Sequence, residues 1–308
     1  MKSQDSPKGD PYVYNVPTIA MNVLVTGGTG TVGSQVVREL MSRGVGTQVL
    51  SHTPAKLKSL PSGVTGVEGD LGKPETVLRV FKGVDAVFLV NQVTPTEAFE
   101  GLAAVLGMMQ SQVKRVVYLS IHRTDEIAWL PHCDVKAAVE EAIRRSGIPF
   151  TILRPNNFYQ NDYWFKDALL QHGVYPQPIG DAGISRVDVR DIAEAAAIAL
   201  TTSKHEGQSY DLVGPQLMTG ELTAQVWSRA LGKPIAYGGN DLDAWHKTAL
   251  TYMPEWLAFD ARYMYKVFQE GRFKASPEAI ARLTAMLGHA PRSFEAFATE
   301  TAAAWLGR

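Results

Sequence analysis

Between Met21 and Leu40 the chain reads MNVLVTGGTGTVGSQVVREL, a stretch that restricts the possible folds more tightly than any other. The apolar run Val23, Leu24, Val25 gives way at Thr26 to four glycines in seven residues, after which Val36, Val37 and Leu40 recur at helical spacing. The pattern predicts a strand, a tight turn and a helix. Its glycines fit two registers, Gly27-x-x-Gly30-x-x-Gly33 and Gly28-x-Gly30-x-x-Gly33, which put positions without side chains where a backbone must turn and then approach a ligand. Amides that open a helix lack internal partners and lie at the positive end of its macrodipole. Thr31, Val32, Gly33 and Ser34 can therefore present N–H groups to the phosphates of a dinucleotide. The strand before and the helix after favour this reading over a purely structural turn.

A chain of 308 residues with 45% hydrophobic content can bury a large core, as one domain or as a domain with a smaller lobe. Its 30 basic and 31 acidic residues nearly cancel, which leaves no electrostatic footprint for nucleic acid or for an anionic membrane. A small molecule is the expected partner. The single cysteine, Cys133, excludes an internal disulfide framework and a multi-cysteine metal site, so no metal centre is expected and a reducing, cytoplasmic setting fits. Residues 1–20 lack the basic start and apolar core of a signal peptide and are expected to form a loose extension; no apolar run reaches bilayer length.

Downstream, the pattern predicts strands at Gly46–Ser51, Val64–Leu71, Asp85–Val90, Arg115–Ser120 and Ile148–Arg154, alternating with helices, and a late strand at Gln208–Gly214. Uninterrupted alternation implies a doubly wound parallel sheet, with ligands outside the carboxyl ends of its strands. An acid at the end of the second strand would bind adenosine ribose hydroxyls and repel a 2′-phosphate. The chain has Ser51, His52 and Thr53 there, with Lys56 a turn later. This tilts the expectation toward NADP(H) over NAD(H), the alternative being that His52 and Lys56 are solvated loop residues. Asp70, followed by Leu71, reads either as an adenine contact or as a loop carboxylate bonding nearby backbone. Asn91, Gln92 and Asn156 stand at the same rim. Ser120 ends the fifth strand, and His132 and Lys136 share a helix face one turn apart. Spacing alone makes Lys136 a surface residue paired with Glu140 beside an apolar stripe of Val135, Val139 and Ile143. Asp191 reads most simply as the N-cap of the helix that follows.

Five segments, in order, carry a family resemblance: TGGTGTVG (26–33), GDL (69–71), EEAIRRSGIPFTILRPNNF (140–158), VDVRDIA (187–193) and PRSFEAFATETAAAW (291–305). Through them nearly the whole chain from Met21 onward resembles the NmrA-like branch of the atypical short-chain dehydrogenases/reductases. This NAD(P)-binding Rossmann family includes quinone and dye reductases and also redox-sensing regulators without catalysis. The resemblance implies a Rossmann domain over residues 21–157 and 185–214, and a smaller, mainly helical substrate lobe over 158–184 and 215–308. Short-chain dehydrogenases use a Ser, Tyr and Lys trio. Ser120 and Lys136 fit it, while His132 stands where the proton-donating tyrosine is expected. His132, with an ordinary pKa of about 6.5, then either supplies the proton or marks a protein that binds the nucleotide without turnover. In the first case Lys136 anchors the nicotinamide ribose.

The lobe segments are rich in aromatic residues and methionine: Tyr159, Tyr163, Trp164, Phe165, Trp245, Tyr252, Met253, Trp256, Phe259, Tyr263, Met264 and Phe268. Most are expected in the lobe core, with some walling an apolar substrate site. The expected function is an NADPH-dependent reductase passing hydride to a quinone, enone or aryl acceptor. A nucleotide-redox sensor acting through a protein partner is the alternative.

Overall fold

In the computed structural model, which describes residues 21–308, the first strand rises from the start of the described chain straight into the glycine turn; the expected extension at 1–20 lies outside the described residues. Strands β1 (Asn22–Thr26), β2 (Gly46–Ser51), β3 (Val64–Glu68), β4 (Ala86–Leu89), β5 (Arg115–Leu119) and β6 (Phe150–Pro155) alternate with helices α1 (Thr31–Ser42), α2 (Pro54–Leu57), α3 (Pro74–Val80), α4 (Glu97–Gln110) and α5 (Pro131–Arg145). A short strand β7 (Val174–Tyr175) precedes α6 (Val189–Thr201), β8 (Gln208–Leu212) and α7 (Gly220–Leu231). Then come β9 (Ala236–Tyr237), α8 (Leu242–Ala249), α9 (Glu255–Gln269), α10 (Pro277–Leu287) and α11 (Phe294–Trp305).

Seven strands form one parallel sheet in the order β3-β2-β1-β4-β5-β6-β8. The direction of winding reverses between β1 and β4, which opens a crevice at their carboxyl ends, as expected of a doubly wound Rossmann fold. The Thr26 hydroxyl fastens that point: it donates to the Val90 carbonyl at 2.9 Å and accepts from the Val90 N–H at 2.7 Å.

Period-two alternation in β1 sends Val23 and Val25 to one face and Leu24 to the other. On the first face they meet Val36, Val37 and Leu40 of α1 and the alanine-rich side of α6; on the second Leu24 joins Val77, Met108, Val139 and Ile143 from α3, α4 and α5. With both faces covered, the central strands β1 and β4 read as near-continuous apolar runs. A further core, in the helical C-terminal region, gathers Tyr159, Tyr175, Trp227, Phe268, Phe273, Phe294 and Phe297. Helix α10 lies against the sheet side, where Leu283, Met286 and Leu287 join α1 and α6.

Three sequence expectations are corrected here. Lys136 is buried, 5% exposed, with its ammonium on Glu97; the surface pairing with Glu140 is absent because the inward stripe of α5 is Cys133, Lys136, Val139, Glu140 and Ile143. Asp188, three residues before Asp191, caps α6 by accepting from the Arg190 N–H, and Asp191 is instead buried against Arg292. The lobe aromatics and methionines expected mostly in the core are divided, with Phe165, Tyr263 and Met264 packed partly buried against it. Tyr159 and Phe268 are buried, whereas Tyr163, Trp164, Tyr252, Trp256 and Phe259 are exposed. Helical spacing marks a face, and only packing decides whether that face is covered. Among the described residues, no helix is long and apolar enough to cross a membrane.

Candidate functional site at the carboxyl edge of the sheet

Gly27 sits at φ +59°, a left-handed conformation that glycine adopts without cost, and its carbonyl accepts from the Gly30 N–H at 2.9 Å. A Cβ on Gly33 would lie 2.2 Å from the Gly27 carbonyl oxygen, so α1 can seat directly on the turn only because that position is bare. Gly30 is the N-cap of α1, no side chain caps the helix and its first turn carries no acid. The amides of Thr31, Val32 and Gly33 are thus left for an external acceptor, the condition a phosphate needs.

Around this turn the crevice is built from strand ends. At the end of β2 the Ser51 hydroxyl accepts from the Thr53 N–H at 3.1 Å, and His52 and Lys56 are exposed with no carboxylate between them. Beyond β3, Asp70 accepts from the Gly72 N–H at 2.9 Å, the local-backbone arrangement, and Leu71 is half-buried. After β4, Asn91 is 5% exposed and neither its amide nitrogen nor its oxygen has a hydrogen-bond partner. Buried polar atoms are ordinarily paired, so this amide has free donor and acceptor capacity that an external group could use. A bare glycine cradle and an unpaired buried amide together fit a dinucleotide.

The expected trio divides in space. Ser120, at the end of β5, donates to Glu140 Oε1 at 2.5 Å, and Glu140 also accepts from Arg154 at 2.7 and 3.0 Å. Ser120 is thereby held in a carboxylate–arginine network. Lys136 and His132 form a different cluster with an acid from α4: Lys136 Nζ lies 2.5 Å from Glu97 Oε1, and His132 Nδ1 lies 3.9 Å from Glu97 Oε2. The His132 backbone N–H donates to Asp260 Oδ1 of α9 at 3.1 Å, and the Lys136 ammonium stands 5.7 Å over the Tyr118 ring.

Burial sets the electrostatics of this cluster. It lowers the His132 pKa to about 4, with Lys136 as the second cause, so the ordinary value near 6.5 assumed from sequence does not hold and the imidazole is neutral at neutral pH. Burial raises the Glu97 carboxyl against the pull of Lys136, raises Asp260 against its bond from His132, and pushes the Cys133 thiol up, away from nucleophilic use.

Asn156, placed at the rim by sequence, has its amide engaged: Nδ2 donates to the Phe273 carbonyl at 2.8 Å and Oδ1 accepts from the Asn157 N–H at 2.7 Å. The sequence pattern does not mark Glu97, Asp260 or Glu140 as site residues. Glu97 reads in sequence as an ordinary acid in a helix first turn, and nothing local marks a partner 39 positions away. The described residues form two surface cavities, one of them at the glycine turn. One of about 400 Å³ lies between the first turn of α1 and α11, lined by Thr31, Gln35, Tyr163, Arg190 and Trp305; another of about 430 Å³ is formed by His246, Glu255, Trp256 and Phe259 of α8 and α9.

The model of the NmrA-like family matches residues 20–298. The NAD(P)H azoreductase of Xenophilus azovorans is 32% identical over 291 residues, covering 92% of this chain and 99% of that protein. The (4-alkanoyl-5-oxo-2,5-dihydrofuran-3-yl)methyl phosphate reductase of Streptomyces griseus is 32% identical over 289 residues, with coverage of 92% and 99%. Among solved structures, the NADPH-dependent quinone oxidoreductase of Escherichia coli, complexed with NADPH, superimposes with a TM-score of 0.81 at 24% identity over 91% of this chain and 99% of that one.

Proposed function

This chain belongs to the NmrA-like family, and within it we propose an NADPH-dependent reductase that passes hydride to a small, apolar, conjugated or carbonyl acceptor such as a quinone, an enone or an aryl compound. The observation that carries the reading is the uncapped, glycine-led start of α1 at the switch point, together with a buried Asn91 amide without partners just after β4. The two relatives at 32% identity are both named as reductases, which supports the same direction.

When bound, a reduced nicotinamide supplies the hydride. The chain's own residues hold and orient it. Gly27, Gly30, Thr31, Val32 and Gly33 take the pyrophosphate; Ser51, His52 and Lys56, with no acid among them, take a 2′-phosphate; Asn91 and Lys136 take the nicotinamide end. Lys136 also keeps positive charge beside the anion that hydride addition creates. Because His132 is neutral above about pH 4, it does not act as an imidazolium donor at neutral pH, and the proton that completes reduction comes from water. That favours acceptors whose reduced anion is delocalised. Residues 158–184 and 215–308 supply the acceptor side, where Trp256 and Phe259 stand exposed on the helix that carries Asp260 to His132.

Mixing the purified protein with NADPH and a panel of quinones, enones, aldehydes and triarylmethane dyes, while following absorbance of the reduced cofactor, tests this. Oxidation with matched product is expected. One observation favours a second reading, a redox sensor that binds the nucleotide without turnover: a neutral, buried histidine replaces the tyrosine. Tight binding with no oxidation across the panel selects the sensor. NADPH is expected to bind at least about tenfold tighter than NADH, roughly 1.4 kcal/mol; equal dissociation constants by calorimetry rule the preference out.

A further inference from the structure

We propose that Glu97 is the positioning residue for Lys136, holding its ammonium at the nicotinamide end of the crevice. The assignment rests on the cofactor reading given above.

Glu97 lies in the first turn of α4, where an acid is usually exposed and serves the helix terminus. Here it is 2% exposed, and the N-cap residue Thr96 directs its hydroxyl to Glu100, one turn on, at 2.6 Å. Removing a carboxylate from water is costly unless a partner compensates. The partner is Lys136, 2.5 Å away and itself almost fully buried.

The backbone is shaped for this pair. Gly101, one turn after Glu97, stands where a Cβ would lie 2.5 Å from Val139 Cγ2, and Val139 is three residues after Lys136. The missing side chain lets α4 close on α5 at the level where the two charges meet. The same glycine position is 3.4 Å from the unpaired Asn91 oxygen, so the pair shares a wall with an amide fitted to the cofactor. An ammonium has three donors, and one carboxylate leaves others for sugar hydroxyls. Among the described residues, His132 and Cys133 of α5, Asp260 of α9, Glu100 of α4 and the Tyr118 hydroxyl of β5 are the other titratable groups coupled to the pair.

A charge pair that merely staples α4 to α5 is the competing account, and ligand halves separate the two. Dissociation constants are measured by calorimetry for NADPH and for the adenine-half ligands adenosine 2′,5′-bisphosphate and ADP, on the wild type, Glu97→Gln, Glu97→Asp, Lys136→Met and the Glu97→Gln/Lys136→Met double variant. Glu97→Gln is expected to weaken NADPH roughly tenfold and leave the adenine halves unchanged, with Glu97→Asp intermediate and the double variant no worse than Lys136→Met alone. Equal loss for NADPH and the adenine halves, or a Glu97→Gln variant that binds NADPH as the wild type does while Lys136→Met does not, overturns the proposal. A Lys136→Met variant with unchanged NADPH affinity overturns the underlying cofactor reading instead. Should Glu97→Gln not fold, Glu97→Asp against the double variant, which leaves no unpaired charge, decides the same question.

Discussion

The crevice and the core of the C-terminal region treat buried polar groups in opposite ways. In the C-terminal region the Asp162 carboxylate, fully buried, accepts from Arg186 at 2.7 and 3.2 Å, from Trp227 Nε1 at 2.9 Å and from the Tyr175 hydroxyl at 3.4 Å. Helices α7, α8, α10 and α11 are each capped by a side chain, from Thr219, Asp241, Ser276 and Ser293. At the crevice, the Asn91 amide, the Tyr118 hydroxyl and His132 Nδ1 are buried without hydrogen-bond partners, and α1 to α5 carry no side-chain cap at all. The C-terminal core is satisfied largely from within, His246 Nε2 and the uncapped α9 apart, whereas the crevice leaves unpaired the groups proposed to meet a ligand. Stability should therefore respond to substitutions in the first, and ligand affinity to substitutions in the second.

The largest effect is expected where the self-sufficient network is broken. Asp162→Leu leaves Arg186 buried without a counter-charge, and its guanidinium has no route to water. A loss of about 3–5 kcal/mol in urea unfolding is expected. Much of it should return in the Asp162→Leu/Arg186→Met double variant. Comparable loss on removing a crevice group such as Asn91 would erase the contrast between the regions.

Acid should find the crevice next. His132 is depressed to about 4 in the folded chain against about 6.5 unfolded. The unfolded chain therefore binds the extra proton first. The stability His132 contributes is complete above about pH 6.5 and is lost as the pH falls toward 4, up to about 3 kcal/mol. The raised carboxyls of Glu97, Asp191 and Asp260 act in the opposite direction, so the quantity to measure is the difference between wild type and His132→Phe. That difference should shrink across pH 6.5 to 4; a difference constant with pH would show that His132 is not held neutral.

Gly30→Asp separates fold from ligand at a single atom. Gly30 has extended backbone, φ −90° and ψ −178°, which aspartate adopts readily, and its added Cβ would meet only the Gly27 oxygen at 3.3 Å. Aspartate is also a good N-cap but only slightly better than glycine, so stability should change by no more than a few tenths of a kcal/mol. The same carboxylate takes the amides meant for phosphate and repels it. NADPH affinity should fall at least about 100-fold, roughly 2.7 kcal/mol. Retained binding would remove the glycine turn from the site.

Much of the sheet was legible because a parallel strand covered on both faces writes itself as an unbroken apolar run, and Val23–Val25, Ala86–Leu89 and Val116–Leu119 all do so. The two-residue strands β7 and β9 left no period to read. The glycine turn was equally legible, since its geometry is local. Burial of Lys136 was not, because the acid that makes it tolerable stands on another helix. Ser120 was expected beside Lys136 and engages Glu140 instead; both residues follow from the motif, but the bond between them depends on how α5 is rotated over β5. Trp227 escaped notice as the centre of the second core because one tryptophan in an amphipathic helix carries no mark of the Asp162 waiting for its N–H.

The smallest expected effect is the most discriminating. Asn91→Leu replaces a buried amide lacking partners by an apolar group of similar size, so the chain forfeits no internal hydrogen bond. Desolvation of an unpaired amide is itself unfavourable, and its removal should leave stability unchanged or raise it by about 1 kcal/mol. In the proposed NADPH complex the same substitution would remove a partner from the ligand. Affinity should drop roughly tenfold, or about 1.4 kcal/mol. Stability and affinity then move in opposite directions at one residue, the behaviour that separates the crevice from the Asp162 network. If calorimetry finds NADPH binding untouched while urea unfolding shows a loss of stability, Asn91 is a structural amide and the crevice is completed by some other group.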